Sequence, residues 1–112
     1  MKYEMKLNES PFNKIKNGTK TIELRLFDEK RRLLKINDYK EFTNISNGEK
    51  LIVQIENLYI FENFKDLYNY FDKCMLGYSK NSVADFKDME KYYSKDEQEK
   101  YGVLAIKIRN VN

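Results

Sequence analysis

The sequence of 112 residues has no histidine and a single cysteine, Cys74. Without histidine, the usual zinc sites and any catalytic triad that uses an imidazole base are excluded. A lone cysteine is typical of a packed or incidental thiol, and this composition favours the cytoplasm over an oxidising compartment. We therefore expect a cytoplasmic protein that holds no metal and no other cofactor.

Long hydrophobic runs are missing too, since no run approaches the ~18 apolar residues of a membrane span. Residues 1–4 lead into an apolar–polar alternation rather than a signal peptide. The excess of 21 basic over 18 acidic residues gives a net charge of +3, which permits nucleic-acid binding without arguing for it. Hydrophobic residues make up 41% of the chain, so we expect one globular domain over residues 1–112, not associated with a membrane.

One segment, from Asn17 to Arg25, combines a turn signal, a strand pattern and charges of both signs in the spacing Gly-x-Lys-x-x-Glu-x-Arg. Gly18 follows a helical pattern, which is typical of a residue just past a helix C-terminus. The strand that follows has two faces by alternation. The polar face carries Thr19, Thr21, Glu23 and Arg25, and the apolar face carries Ile22, Leu24 and Leu26.

Two interpretations of these charges remain open. In the first, the segment is a solvated strand with a surface ion pair, worth ~0–1 kcal/mol. In the second, it is a polar cluster that grips an anionic or amide-bearing ligand, with Glu23 and Arg25 as neighbours on one face. Lys20 falls by parity on the apolar face, where an unpaired buried charge is costly. It therefore lies at a strand end or cavity mouth, or joins Glu23 and Arg25, since parity is unreliable beside a turn.

Alternation predicts four further strands. They cover residues 2–7, 39–43, 51–61 and 103–108, and the last is the best candidate for a central strand. A hairpin connection containing Asn47 and Gly48 joins the second and third of them. A change of parity after Ile55 predicts a bulge or bend of the kind that curves a small barrel.

Three- and four-residue spacing predicts helices between the strands. The first has Ser10 as its N-cap and Pro11 at its first position, with Lys14 and Lys16 facing water. Two more cover residues 61–76 and 83–93, and their aromatic stripe is interpreted as core packing rather than a base-stacking platform. A capping box at Ser94 then starts a short helical turn.

The densest basic run is Lys30, Arg31 and Arg32, in the connection after the charged motif. It is either a solvated loop or a phosphate-contacting edge beside a cleft. The apolar residues that follow it, Leu33, Leu34 and Ile36, are expected to return to the core.

Gly18-x-Lys20-x-x-Glu23-x-Arg25 resembles the signature of the ASCH domain family. Further similarity lies in Phe12-x-x-Ile15, in residues 35–38 and in the ending from Tyr101 to Ile106, so it spans nearly the whole chain and fits the small bacterial or phage-type members. The resemblance implies an α+β, PUA-like fold: a small mixed β-barrel with flanking helices. It also implies a cleft that the family is thought to use for RNA or nucleotide ligands.

The resemblance also implies roles for individual residues in a binding module. Lys20 and Arg25 would contact phosphate or carbonyl oxygens, and Glu23 would orient Arg25 or accept a hydrogen bond from a base amino group. Tyr93 or Tyr92 would stack on a base or line the cleft. The expected ligand-binding residues are thus Lys20, Thr21, Glu23, Arg25 and Tyr93.

An enzyme is the alternative. Some small ASCH-like proteins are amidohydrolases of N4-acetylcytidine that use a lysine, a threonine and a glutamate, and other relatives have been linked to ribonuclease activity. Lys20 matches the lysine, but Glu23 stands at the threonine position, and Thr21 is no simple substitute for it. The catalytic residues of an enzyme would be Lys20 and Glu23. An interaction module without a small ligand is a third possibility, and the sequence does not indicate an oligomeric state.

Overall fold

The computed structural model describes residues 2–111. Five strands form one mixed sheet, and three α-helices lie on its flanks. The strands are β1 (Lys2–Leu7), β2 (Ile22–Leu26), β3 (Tyr39–Asn44), β4 (Lys50–Phe61) and β5 (Val103–Asn110). The helices are α1 (Glu9–Lys16), α2 (Phe64–Tyr70) and α3 (Lys95–Tyr101), with short 3-10 helices over Arg31–Leu33 and Phe86–Lys91.

The sheet has the strand order β1-β3-β4-β5-β2 and curls into a half-barrel. Strands β1 and β3 run parallel, and the other three neighbouring pairs are antiparallel. The predicted irregularity after Ile55 is confirmed as a register shift between Ile55 and Asn57. Such a shift increases the local bend and twist, which helps the long strand β4 follow the curve of the barrel.

Strand β5 is buried on both faces, which explains its nearly continuous apolar sequence. One face packs in a cluster with α1 and strands β3 and β4. The other face packs with β2 and α2 in a second cluster. The motif strand β2 is thus fixed by β5 at one edge of the sheet, and its apolar residues Ile22, Leu24 and Leu26 are all buried as predicted.

Helix α1 begins earlier than predicted. Its N-cap is Asn8, so the assignment of Ser10 to the N-cap and Pro11 to the first position was wrong. A proline fits anywhere in the first helical turn, where its missing N–H has no intrahelical partner, and it therefore fixes the helix start only loosely. The predicted end is confirmed, because Gly18 follows the helix with φ +83°.

The helices predicted over residues 61–76 and 83–93 were also wrong in extent, and the second is a 3-10 helix over Phe86–Lys91. Strand β4 continues to Phe61, Asn63 then caps α2 through its side chain, and the chain is extended again at Phe71. The aromatic stripe is core packing, as interpreted: Phe64 is fully buried, and the Phe71 ring packs edge-on against Tyr59. Periodicity identified the apolar positions correctly, but tertiary packing determined the backbone conformation between them.

Two smaller outcomes concern the connections. The capping box at Ser94 is confirmed, with both reciprocal hydrogen bonds to Glu97. Leu33 and Ile36 do not enter the core, since 65% and 51% of their surfaces are exposed, and only Leu34 is buried.

Candidate ligand-binding site

The charged motif is held in place from two sides. The backbone N–H of Lys20 donates to Lys14 O at 3.0 Å, which ties the start of the motif to α1. The N–H groups of Thr21 and Ile22 both donate to Met75 O at 3.0 Å, which ties it to the turn after α2. This turn was predicted to be helical, and its irregular backbone is what clamps the motif.

Lys20, Glu23 and Arg25 form one buried ion cluster. The Glu23 side chain is 5% exposed; its Oε2 lies 2.9 Å from Arg25 Nη2, and its Oε1 lies 3.5 Å from Lys20 Nζ. Lys20 therefore joins the other two charges instead of following strand parity. The cluster is not a solvated surface pair, because all three side chains are at least four-fifths buried.

Arg25 has further partners that restrict its guanidinium. Its Nη1 donates to the Tyr93 hydroxyl at 3.3 Å, and its Nη2 also contacts the sulfur of Met5. The Tyr93 ring in turn stacks on Phe64, with centroids 6.0 Å apart. Tyr93 thus lies beside the cluster, and one face of its ring is already covered by Phe64.

A second lysine, Lys40 on β3, interacts electrostatically with Glu23 and Arg25 of this cluster and was missed. It is 2% exposed, and its Nζ lies 5.7 Å from the centroid of the Phe42 ring. Burial lowers the pKa of Lys40 to about 8; the charge of Glu23 opposes this effect, and Arg25, Arg31 and Lys30 add to it. Strand parity placed Lys40 on the same face as buried Phe42, which is the signal that could have revealed it.

The charges around Glu23 control its protonation. Burial raises the pKa of the Glu23 carboxyl, but Arg25, Lys20 and Lys40 together outweigh burial and bring the pKa to about 2. Glu23 in turn raises the pKa of Arg25, against the effect of burial. Near neutral pH, Glu23 is therefore a carboxylate that three basic side chains stabilise: Lys20 and Arg25 of the cluster, and Lys40.

The ion cluster forms the floor of a cavity of about 540 Å³. We call this cavity the motif pocket. The end of β1, helix α1 and the segment from Leu76 to Tyr93 build its walls. Its charged lining residues are Lys6, Lys14, Lys20, Arg25, Lys91, Glu23 and Asp88, and its hydroxyl groups belong to Ser10, Ser79, Ser82, Tyr68, Tyr78, Tyr92 and Tyr93.

One wall carries a chain of hydrogen bonds. The hydroxyls of Tyr68 and Tyr78 lie 2.9 Å apart, and the Tyr78 hydroxyl donates to Asp88 Oδ2 at 2.7 Å. Burial raises the pKa of Tyr78, and its bonds to Tyr68 and Asp88 raise it further. Burial also raises the pKa of Tyr68. Both phenols therefore remain neutral near pH 7.

Two sets of predicted residues lie outside the motif pocket. Thr21 lines a separate cavity of about 480 Å³, and its buried Oγ1 has no hydrogen-bond partner among residues 2–111. Arg31 pairs with Asp28 at 2.9 Å, and the Arg32 guanidinium lies 4.1 Å from the centroid of the Phe27 ring. The basic run thus has local partners, and its Lys30 is exposed.

The described part of the chain contains no cluster of side chains suited to a metal ion. Within residues 2–111, no three histidine, cysteine, aspartate or glutamate side chains come together closely enough to hold an ion. None of the helices in this range is both long and apolar enough to cross a membrane.

Comparison with known proteins agrees with this architecture. The family model for the ASCH domain matches residues 5–112. Hypothetical protein PH0355, known from a crystal structure, is 31% identical to this chain in sequence. The two structures match with a TM-score of 0.83 over 99% of this chain and 100% of that one. Protein PF0455 from Pyrococcus furiosus has 29% identity and a TM-score of 0.78 over 100% of this chain and 99% of its own.

A more distant structure shows how widely the fold is shared. The ASCH protein from Zymomonas mobilis is 15% identical, with a TM-score of 0.69 over 97% of this chain and 67% of its own. At this identity the likeness concerns the fold alone, and it confirms the α+β, PUA-like half-barrel with flanking helices. No curated protein sequence matches the chain.

Proposed function

We propose that this chain, which belongs to the ASCH domain family, binds RNA or a nucleotide-like ligand in the motif pocket. The observation that carries the proposal is the largely buried ion cluster of Lys20, Glu23 and Arg25, which lines the floor of that pocket. Buried charges are costly to maintain, and perturbed ionisable groups in a cleft mark functional sites. A cytoplasmic location is part of this proposal.

The size and charge of the pocket suit such a ligand. Its volume of about 540 Å³ lies in the range of about 300–1,000 Å³ that small-molecule sites occupy. Five basic side chains and two acidic ones line it, so its lining is positively charged. Lys40, whose charge acts on Glu23, adds a further positive charge near the site. The resulting potential attracts anions such as phosphate groups.

Glu23 provides a selective contact. An ionised carboxylate offers about four acceptor positions, and Lys20 and Arg25 occupy one on each oxygen. The remaining positions can accept a hydrogen bond from an exocyclic amino group, such as that of cytosine. Because Tyr93 holds Arg25 and stacks on Phe64, we assign it to positioning Arg25.

Tyr92 is the better candidate for stacking on a base. It lines the pocket and is 69% exposed, which leaves its ring accessible to a ligand. Base–aromatic stacking is a general mode of single-stranded nucleic-acid binding.

Catalysis by Lys20 and Glu23 is the second candidate function, favoured by the contact of a lysine with a carboxylate in a cleft. The reaction would be hydrolysis of a modified nucleoside such as N4-acetylcytidine, or RNA cleavage. Two observations favour binding instead. A carboxylate with a pKa of about 2 is a weak general base at neutral pH, and the Thr21 hydroxyl oxygen is buried, so a substrate cannot reach it.

Mass spectrometry of the wild type and a Lys20→Met variant would test both candidates. Methionine keeps an aliphatic chain where the Lys20 stem passes Gly77, so the variant removes the charge with little change in packing. Both proteins are incubated with nucleosides that include N4-acetylcytidine, with nucleotides and with short single-stranded RNA, and retained ligand and altered product are measured. Lys16→Met is the matched control, because Lys16 is exposed and pairs with Glu49 outside the pocket.

Ligand retained by the wild type and by Lys16→Met, but lost from Lys20→Met, is the expected result. Product formed by the wild type and not by Lys20→Met would make the protein an enzyme. If the wild type retains none of these compounds and changes none of them, or if Lys20→Met behaves like the control, the assigned site is wrong.

A further inference from the structure

Lys14 points into the motif pocket instead of facing water as the helical pattern predicted. Its Nζ donates to Gly77 O at 2.8 Å, which fixes the end of a normally flexible side chain. Lys20 passes the same glycine, since a Cβ at Gly77 would lie only 3.1 Å from Lys20 Cδ. Two lysine side chains, one from α1 and one from the motif, therefore converge at Gly77.

The charges of these two lysines are balanced differently. Lys20 lies 3.5 Å from Glu23 Oε1, whereas the polar contact that the structure gives Lys14 Nζ within residues 2–111 is a neutral carbonyl. Lys16, two residues further along the same helix, does have a carboxylate partner, Glu49. A fixed, partly buried ammonium whose partner is a neutral carbonyl is costly, and a bound anion would offset that cost.

We infer that Lys14 and Lys20 form a subsite for a phosphate group, so that the ligand of the motif pocket is a phosphorylated nucleotide rather than a free nucleoside. This inference rests on the proposed function. After its bond to Gly77, the Lys14 ammonium has two N–H groups left to donate. Phosphate offers several acceptor oxygens and at least one negative charge, and lysine is a common phosphate ligand.

The rest of the pocket fits the nucleoside part of the same ligand. Glu23 lies on the floor, and the hydroxyls of Tyr68 and Tyr78 lie on the wall formed with Asp88. These groups recognise donors and acceptors of a base or sugar and carry no excess positive charge. The phosphate is the terminal phosphate of a mononucleotide or an internal phosphodiester of RNA, and the experiment includes both.

Titration calorimetry with three probes tests the subsite. The probes are cytidine, cytidine 5′-monophosphate and the dinucleotide cytidylyl-cytidine, and the proteins are the wild type, Lys14→Met, Lys14→Arg and Lys16→Met. We expect the wild type to bind at least one phosphorylated probe roughly tenfold more tightly than cytidine, the effect of one charge-assisted hydrogen bond. Lys14→Met loses this preference, while Lys14→Arg and Lys16→Met keep it.

The outcomes separate the subsite from the proposed function. Tighter binding of the mononucleotide identifies a terminal phosphate, and tighter binding of the dinucleotide identifies an internal phosphodiester. Equal affinity of the wild type for all three probes overturns the subsite and leaves the pocket assignment standing. A preference that persists in Lys14→Met, with circular dichroism showing an intact fold, also overturns it. No binding of any probe contradicts both proposals.

Discussion

Replacing Lys40 by methionine should make the protein more stable. Lys40 is 2% exposed, its cross-strand neighbours are Tyr3 and Val53, and its ammonium lies over the Phe42 ring. Burying a lysine charge among such groups costs free energy, and the nearby carboxylate of Glu23 offsets only part of the cost, because the net effect lowers the pKa of Lys40. Methionine has a similar length and flexibility and no charge.

The size of the effect follows from the pKa. A decrease from 10.5 to about 8 for Lys40, at about 1.4 kcal/mol for each pH unit, corresponds to about 3 kcal/mol of lost stability. For a domain of this size, regaining about 3 kcal/mol raises Tm by roughly 10 °C. The same replacement should weaken ligand binding, because it removes a positive charge that acts on Glu23 in the pocket.

The pH dependence gives the prediction its sign. Below pH 8, Lys40 is protonated in the folded and unfolded chains, and the full cost is present. Between about pH 8 and 10.5 the unfolded chain binds more protons at this site, so the wild type gains stability relative to the variant. Above pH 10.5 the lysine is neutral in both states. The difference in stability between Lys40→Met and the wild type then falls to the small contribution of side-chain packing.

Urea unfolding of the wild type and Lys40→Met at pH 7 and pH 10.5 measures this difference directly. Comparing the two proteins at each pH cancels the titration of the tyrosines, which they share. Lys16→Met, an exposed change, should stay within about 0.5 kcal/mol of the wild type. A Lys40→Met variant that is less stable than the wild type at pH 7, or an advantage that is unchanged at pH 10.5, would refute the reasoning.

Two further predictions concern the carboxylate and the glycine of the site. Glu23→Gln should cost about 3 kcal/mol at pH 7, because the pKa of Glu23 is about 2 in the folded chain and about 4.5 when unfolded. The stabilising effect of the Glu23 carboxylate is complete above pH 4.5 and disappears as the pH falls towards 2. Urea unfolding should therefore show a smaller difference in stability between Glu23→Gln and the wild type at pH 3 than at pH 7. Glu56→Gln, at an exposed position, is the control. Gly77→Ala should destabilise by roughly 1–3 kcal/mol, since Gly77 has φ +103° and the new methyl would press on Lys20. Gly48 also has a positive φ, but a Cβ there would meet open space. Thermal unfolding should therefore show a loss of stability for Gly77→Ala and for Gly48→Ala, whereas only Gly77→Ala should lose ligand binding.

Much of the sheet could be predicted from alternation. Strand β5 carries apolar residues on both faces, and the change of parity near Ile55 marked the register shift in β4. These signals are strong because side-chain direction in a strand follows directly from residue number. The pairing of β1 with β3 in parallel is a long-range contact, and local pattern carries no information about it.

The bounds of the helices were harder to predict from the sequence than those of the strands, because apolar spacing does not determine backbone conformation. The residues after Tyr70 keep three- and four-residue spacing, yet the chain leaves the helix so that Met75 O can accept hydrogen bonds from Thr21 and Ile22. Pro11 similarly marked the first turn of α1 without fixing its first residue. In both places tertiary contacts outweighed weak local preference.

The site was only partly visible in the sequence. Strand alternation made an ion pair between Glu23 and Arg25 geometrically possible, and the structure contains this pair at a distance of 2.9 Å. The roles of Lys14 and Lys40 were missed because each depends on a partner distant in sequence, although strand parity could have shown that Lys40 is buried. Lys14 binds Gly77, and the charge of Lys40 is coupled to Glu23 on a strand that it does not pair with.

The most direct test of the central account is an amide chemical-shift titration of the wild-type protein with cytidine 5′-monophosphate. If the ligand lies over the ion cluster, saturable shifts should map to Lys20, Arg25, Gly77 and Asp88, and the same titration of Lys20→Met should show none. Shifts that map instead to the separate cavity lined by Phe61, or no saturable shifts in the wild type, would contradict the account.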